Sequence, residues 1–140
     1  METRRILMTA AVKQAIESHA LAASPSECCG LLSGKNEIIT CLHPLRNDAP
    51  NAESRYYAAP EDLFSAMRRI RESDEMLFGI YHSHPRTPAY PSAADVDMAF
   101  YPEAVYFIIS LEPGVDMRAY RIDGSSIEGV SIEITNEGGP

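Results

Sequence analysis

Two of the four histidines, His82 and His84, stand two residues apart at the end of a predicted strand, where period-two alternation points both imidazoles to the same side. Their nitrogens can share one ion. Asp95 lies three residues after Ser92, in the first turn of the helix that Ser92 starts. Helical side chains lean towards the N-terminus, so this carboxylate can swing back to the same point. Two imidazoles and a carboxylate make three protein ligands. Three ligands with a fourth position left for water is the arrangement of a catalytic zinc site, whereas structural zinc closes its shell with four, mostly cysteines. Taken singly, each part has a plainer reading: Ser92-x-x-Asp95 is also a capping box, and a histidine pair beside prolines is also a polar turn. The set decides between them. With this chain's own residue frequencies, His, His, Ser and Asp at these offsets arise by chance about five times in ten thousand.

The elements that position these residues follow from periodicity. Thr9 can N-cap a helix over 10–22, with Val12, Ala15, Ile16, His19, Ala20 and Ala23 on one face. Residues 29–45 suggest a hairpin turning at Gly34-Lys35-Asn36. The polar stretch from Pro44 to Pro60 is a long excursion, and loops of that length tend to carry function. Pro60 opens a second helix that ends near Ser73, with Glu61 and Asp62 in its first turn and Leu63, Phe64, Met67 and Ile70 as its buried stripe. Residues 76–81 and 104–111 are continuous apolar runs, which suits central strands covered on both faces. Between them a short helix runs from Ser92 to about Phe100. Residues 117–123 and 127–134 are strands joined by the turn Asp123-Gly124-Ser125. The order predicts one mixed α/β domain over 1–135, a sheet with helices packed on it, and a flexible tail over 136–140.

Composition narrows the classes. A chain of 140 residues holds one core, and 45% apolar with 23% charged residues is ordinary globular usage. Twelve Lys and Arg against 20 Asp and Glu give a net charge of -8, with the bases scattered except for Arg68, Arg69 and Arg71. A nucleic-acid or anionic-membrane surface is disfavoured. No apolar run approaches the ~20 residues that span a bilayer, and Lys13 and Glu17 interrupt any signal-peptide core, so a cytoplasmic location is expected. Three cysteines, Cys28, Cys29 and Cys41, with two of them adjacent, support no disulfide framework and are expected to be buried structural residues. His19 and His43 are expected to be satisfied polar residues rather than further ligands.

The motif, taken whole, resembles the signature of the JAMM (MPN+) metalloproteases: an upstream Glu, His-x-His, seven residues, Ser, two residues and Asp. His82-Ser83-His84, Ser92 and Asp95 match it without a gap, and the upstream acid maps to Glu27. The segment Pro25-Ser26-Glu27-Cys28-Cys29-Gly30-Leu31-Leu32-Ser33-Gly34 resembles the corresponding segment of the compact bacterial members, the sulfur-carrier-protein (CysO-cysteine) peptidases among them. Asn47, Tyr56 and the helix at Pro60 are also similar, so the likeness covers residues 5–123.

The resemblance implies a JAB1/MPN-type, cytidine-deaminase-like fold with a mixed central β-sheet flanked by helices. It implies one zinc per chain held by His82, His84 and Asp95, with Glu27 as general base and Ser92 as donor to the oxyanion. The substrate it implies is a small ubiquitin-like sulfur-carrier protein, cut after a C-terminal diglycine to release a cysteine or a peptide. The loops Arg46–Ala59 and Pro85–Pro91 are the expected walls of a narrow cleft. A catalytically silent MPN scaffold and a JAMM peptidase with another peptide substrate are the alternatives, and a homodimer is left open. Scaffold members typically lose ligands, and none is lost here. A zinc nucleobase deaminase would need His-x-Glu and Pro-Cys-x-x-Cys, and neither occurs.

Overall fold

A computed structural model describes residues 5–136. Thr9 is the junction at which the chain turns from strand to helix: its hydroxyl accepts from the Val12 amide at 3.2 Å, which closes the first turn of α1 (Ala10–Ala23). Before it runs β1 (Arg5–Thr9), a five-residue strand too short for its pattern to stand out from sequence. Val12, Ile16 and Ala20 form the buried stripe of α1. The hairpin follows as β2 (Cys29–Lys35) and β3 (Ile38–Leu45). Its turn is Asn36-Glu37, one residue later than expected. Both residues hold positive φ, 55° and 64°, which matches the twist of a two-residue hairpin, while Gly34 stays in the strand at a register shift. A side chain there would put its Cβ 1.9 Å from the Ile38 carbonyl oxygen.

Helix α2 (Pro60–Glu72) begins at its proline as expected. Its buried stripe is Ala66 and Ile70 with Leu63 partly covered, and not Phe64 or Met67. Phe64 lies one residue off that three-and-four spacing, so it is 64% exposed and carries the Arg68 guanidinium over its ring at 5.3 Å. Strand β4 (Met76–His84) follows, then α3 (Ala93–Asp97). The helix ends three residues short of the expected Phe100, because Met98 closes it and Pro102 disfavours helical backbone at Tyr101. The chain finishes with β5 (Val105–Ser110), β6 (Asp116–Asp123) and β7 (Ser126–Thr135). Of the expected tail, Asn136 is a bend and the rest lies outside the described residues.

The sheet is mixed, as expected, and it closes on itself in the order β1-β3-β2-β4-β5-β6-β7. Strand β1 completes the ring, parallel to β7 along its whole length and to β3 through only Leu7↔Ile38 and Met8↔Ile39. Every residue of β5 is buried, and β4 lies between β2 and β5. Two clusters cover the two faces of the sheet. On one, α1 packs with Met8, Leu32, Tyr81, Phe107 and Ile109; on the other, α2 packs with Cys29, Leu31, Leu45 and Ile80. Period-two alternation then assigns β4: Tyr81 and Ser83 face α1, while Ile80, His82 and His84 face α2. Among the described residues no helix is long and apolar enough to cross a membrane.

Candidate functional site

The antiparallel register of β2 and β4 sets Cys29 opposite His82, and the Ser83 amide donates to the Cys28 carbonyl at 3.1 Å. Extending that register by two residues brings Glu27 opposite His84. Directly paired residues share a face, so Glu27, His82 and His84 all project on the α2 side. Ser83, on the reverse face and fully buried, locks the junction by accepting from the Cys28 amide at 2.8 Å. Ser83 therefore has a packing role behind the histidine pair. Tyr81 fills the core and does not line the cleft: its hydroxyl lies 2.7 Å from His19 Nδ1, and its ring lies where a Cβ on Gly30 would be.

Asp95 arrives from the other side. The capping box forms as written in the sequence, with Ser92 Oγ accepting from the Asp95 amide at 3.1 Å and the Ser92 amide donating to Asp95 Oδ2 at 2.9 Å. This holds the carboxylate rigidly at the helix start, with Oδ2 3.1 Å from His82 Nε2 and 3.0 Å from His84 Nε2. The two Nε2 atoms are 3.2 Å apart. His84 Nδ1 lies 2.8 Å from the Pro88 carbonyl, which can only accept, so Nδ1 carries a proton and Nε2 is the nitrogen that can serve an ion once the proton it shares with Asp95 has left. Two imidazole nitrogens and a carboxylate oxygen thus converge on one point. That donor set, two imidazole nitrogens and a carboxylate, is the one that suits a zinc-type cation, and these three residues fit such an ion.

Burial and charge act on the groups in opposing directions. Burial, helped by the neighbouring His84, pushes His82 down against the pull of Asp95. At His84 burial also pulls down, but the Asp95 hydrogen bond and the Pro88 carbonyl outweigh it and raise the pKa. Burial pushes Asp95 up, yet hydrogen bonds from the two histidines hold it well below the carboxylate range. Glu27 differs from all three. It is 6% exposed, its Oε1 has no hydrogen-bond partner, and desolvation raises its pKa to about 7 against the smaller pull of His84. A buried carboxyl group with an unused oxygen and a pKa near neutrality is poised to move a proton.

Three positioning residues were less visible in the sequence. Tyr56 stacks on His82, ring centroids 4.6 Å apart, and His82 Nδ1 is otherwise unpartnered. Asn47 ties the long loop to Glu27: its Nδ2 donates to the Glu27 carbonyl at 2.9 Å, and its Oδ1 accepts from the Ala49 and Tyr57 amides. The Glu27 amide in turn donates to the Ala52 carbonyl at 2.7 Å. Both residues lie in the 46–59 loop, and nothing in their spacing announces these contacts; the signal was their likeness to the bacterial members of the resembled family. The Pro88 carbonyl, from the second expected wall, orients His84. At the rim Arg86 of that wall lies 3.6 Å from Glu53 of the first, so the two loops meet across the site.

An apolar groove of about 330 Å³ adjoins the site through Tyr56, between α2 and the segment after α3, lined by Leu31, Leu45, Leu63, Met98 and Phe100. Cys29 lies at its floor. Burial pushes the thiols of Cys28 and Cys29 up to about 11 and about 12, so both are neutral packing residues and not ligands.

Comparison with known proteins adds three likenesses. Residues 9–123 match the family described as prokaryotic homologs of the JAB domain. The desampylase of Haloferax volcanii is 31% identical over 140 residues, covering 96% of this chain and 99% of that protein. The CysO-cysteine peptidase of Mycobacterium tuberculosis is 32% identical, covering 88% and 87%. Among solved structures, a protein from Desulfitobacterium hafniense superposes with a TM-score of 0.83 at 31% identity over 94% of each chain.

Proposed function

The chain belongs to the prokaryotic homologs of the JAB domain, the compact branch of the JAMM (MPN+) metalloproteases, and from that premise we propose a specific reaction for it. It hydrolyses the amide bond after the C-terminal diglycine of a small ubiquitin-like sulfur-carrier protein in the cytoplasm, removing a cysteine or a peptide. Relatives named for the cleavage of such conjugates support the substrate class. The observation that carries the chemistry is the meeting of His82 Nε2, His84 Nε2 and Asp95 Oδ2 within 3.2 Å, beside a buried Glu27 oxygen that no other group uses.

His82, His84 and Asp95 would hold one zinc. When bound, zinc supplies Lewis acidity, lowering the pKa of water to about 7 and polarising a carbonyl. Glu27 takes a proton from the attacking water and later delivers it to the leaving amine. A pKa near 7 serves both halves, since the group must be deprotonated to accept and protonated to donate. Ser92 uses its oxygen lone pair in the helix cap, which leaves its hydroxyl hydrogen free to point at the developing oxyanion. Asn47 and Tyr56 fix Glu27 and His82 respectively, and neither touches a reacting atom in this scheme. An extended, side-chain-free diglycine would lie between the two loops that meet at Arg86 and Glu53, and the groove beside Tyr56 offers an apolar seat for the carrier's body.

The test is hydrolysis of a diglycine-cysteine carrier adduct by the wild type, Glu27→Gln and His84→Ala, with zinc counted in each. Turnover by the wild type, its loss in both variants, and the loss of one zinc in His84→Ala alone is the expected result. Full activity in Glu27→Gln would remove the general base. A wild type that binds the carrier without cutting it would turn the reading to a scaffold.

A further inference from the structure

A second set of metal-competent donors lies on the same face of the sheet, at the other end of α2. Cys41 and His43 are two apart on β3, so their side chains lie together; Ser33 of β2 pairs directly with Cys41 and shares that face. The third donor, Glu75, is placed by backbone geometry. Helix α2 ends in a Schellman arrangement, with Asp74 at φ 57°, the Glu75 amide donating to the Ile70 carbonyl at 3.1 Å and the Asp74 amide to the Arg71 carbonyl at 3.2 Å. That turn delivers Glu75 onto the hairpin just before β4 begins. Ligand atoms of Cys41, His43 and Glu75 all lie within 4.8 Å of one another.

Ser33 sits among them, fully buried. Its one proton goes to Glu75 Oε1 at 2.6 Å, and its oxygen lies 2.8 Å from His43 Nε2. A serine with its hydrogen committed to the carboxylate accepts from His43 Nε2 and so holds both groups in place; the ion takes sulfur and carboxylate lone pairs and an imidazole nitrogen freed when that ring proton moves to the other nitrogen, the kind of support that ligands receive in metal sites. We propose that Cys41, His43 and Glu75 form a second divalent metal site of the zinc type, separate from His82, His84 and Asp95. A thiolate, an imidazole and a carboxylate select a borderline ion such as zinc or cobalt over calcium or magnesium. On binding, the Cys41 S–H bond breaks, the sulfur pair goes to the metal and the proton goes to solvent. Arg69 of α2 acts electrostatically on both Cys41 and His43 and opposes the incoming positive charge. Its role is a clasp, joining the β2-β3 hairpin to the start of the strand whose far end carries His82 and His84.

The two sites can be told apart because the first has no sulfur. Metal-free full-length protein, kept reduced with a phosphine, is titrated with Co²⁺ alone and followed in the near ultraviolet for a thiolate-to-cobalt charge-transfer band. The band is expected in the wild type and in His84→Ala, and is expected to vanish in Cys41→Ser, whose peptidase activity reports that it is folded. In Glu75→Gln the apparent Co²⁺ affinity should drop about 10- to 100-fold with the band retained. Zinc should raise the Tm of His84→Ala and leave that of the His84→Ala, Cys41→Ser double variant unmoved. A wild type with no such band at saturating cobalt overturns the proposal. So does a band that persists in Cys41→Ser, which would assign it to Cys28 or Cys29. Circular dichroism can report the fold of Cys41→Ser as well, so the test stands whether or not the catalytic reading is right.

Discussion

The two donor clusters are built to the same plan. Each takes two ligand-type residues two apart on one strand, His82 and His84 or Cys41 and His43, and a carboxylate from a helix terminus, Asp95 from a start or Glu75 from an end. They differ in what stands between the donors. At the first, Asp95 Oδ2 lies within 3.1 Å of both Nε2 atoms with nothing interposed, and an unsatisfied carboxylic oxygen waits beside it. At the second, the Ser33 hydroxyl is interposed and satisfies its neighbours. The contrast teaches that a shared ligand plan does not fix a role. Catalysis needs a reserve of unspent polar capacity, which is costly to bury, whereas a clasp needs each group already satisfied before the ion arrives.

The sharpest way to break the contrast is His84→Ala or Asp95→Ala. Either should reduce carrier cleavage to the uncatalysed level and empty the first site, and the cobalt–thiolate band of the second should survive. Next comes Glu27→Gln, for which kcat should fall about 10²- to 10⁴-fold with zinc content unchanged. Ser92→Ala should lower kcat about 10²- to 10³-fold, and should also cost about 1 kcal/mol of stability through the lost cap. If only the stability changes, Ser92 is a cap and nothing more.

A smaller effect comes from pH. Glu27 titrates near 7 when folded and near 4.5 when unfolded, so the folded state holds the extra proton between those values. Stability of the metal-free protein should therefore decline as pH rises from 4.5 to 7 and stay lowered above that. Denaturant melts at pH 8 should find metal-free Glu27→Gln more stable than wild type by roughly 2–3 kcal/mol, and at pH 4.5 the two should match. The smallest expectation is that Cys41→Ser leaves kcat within about twofold of wild type, consistent with a group remote from the substrate.

The first site was legible because its spacing is local. The strand period aligns His82 with His84, and the capping box that names Asp95 in sequence is the device that holds it in space. Glu27 is more than fifty residues from the histidines, so only the likeness to a known motif found it. Its place opposite His84 follows from a strand register that a single sequence does not reveal. The same limit hid the second cluster: Cys41 and His43 read as a strand residue and a turn residue, and Glu75 joins them only because Asp74 adopts positive φ. The missed β1 and the exposed Phe64 have plainer causes. Five residues are too few to show a period, and an aromatic beside a helical stripe resembles a member of it until the neighbouring sheet is in view.

The ring of strands has a consequence for synthesis. Among the described strands β1 is made before the others, yet the partner along its whole length is β7, made after them. No partial chain can close the sheet, so a nascent or C-terminally truncated protein must carry β1 with a bare flank, which invites pairing with other chains. Strand β4, by contrast, has both its neighbours, β2 and β5, before β6 and β7 are made, so the strand that carries His82 and His84 can be paired on both sides while the ring is still open.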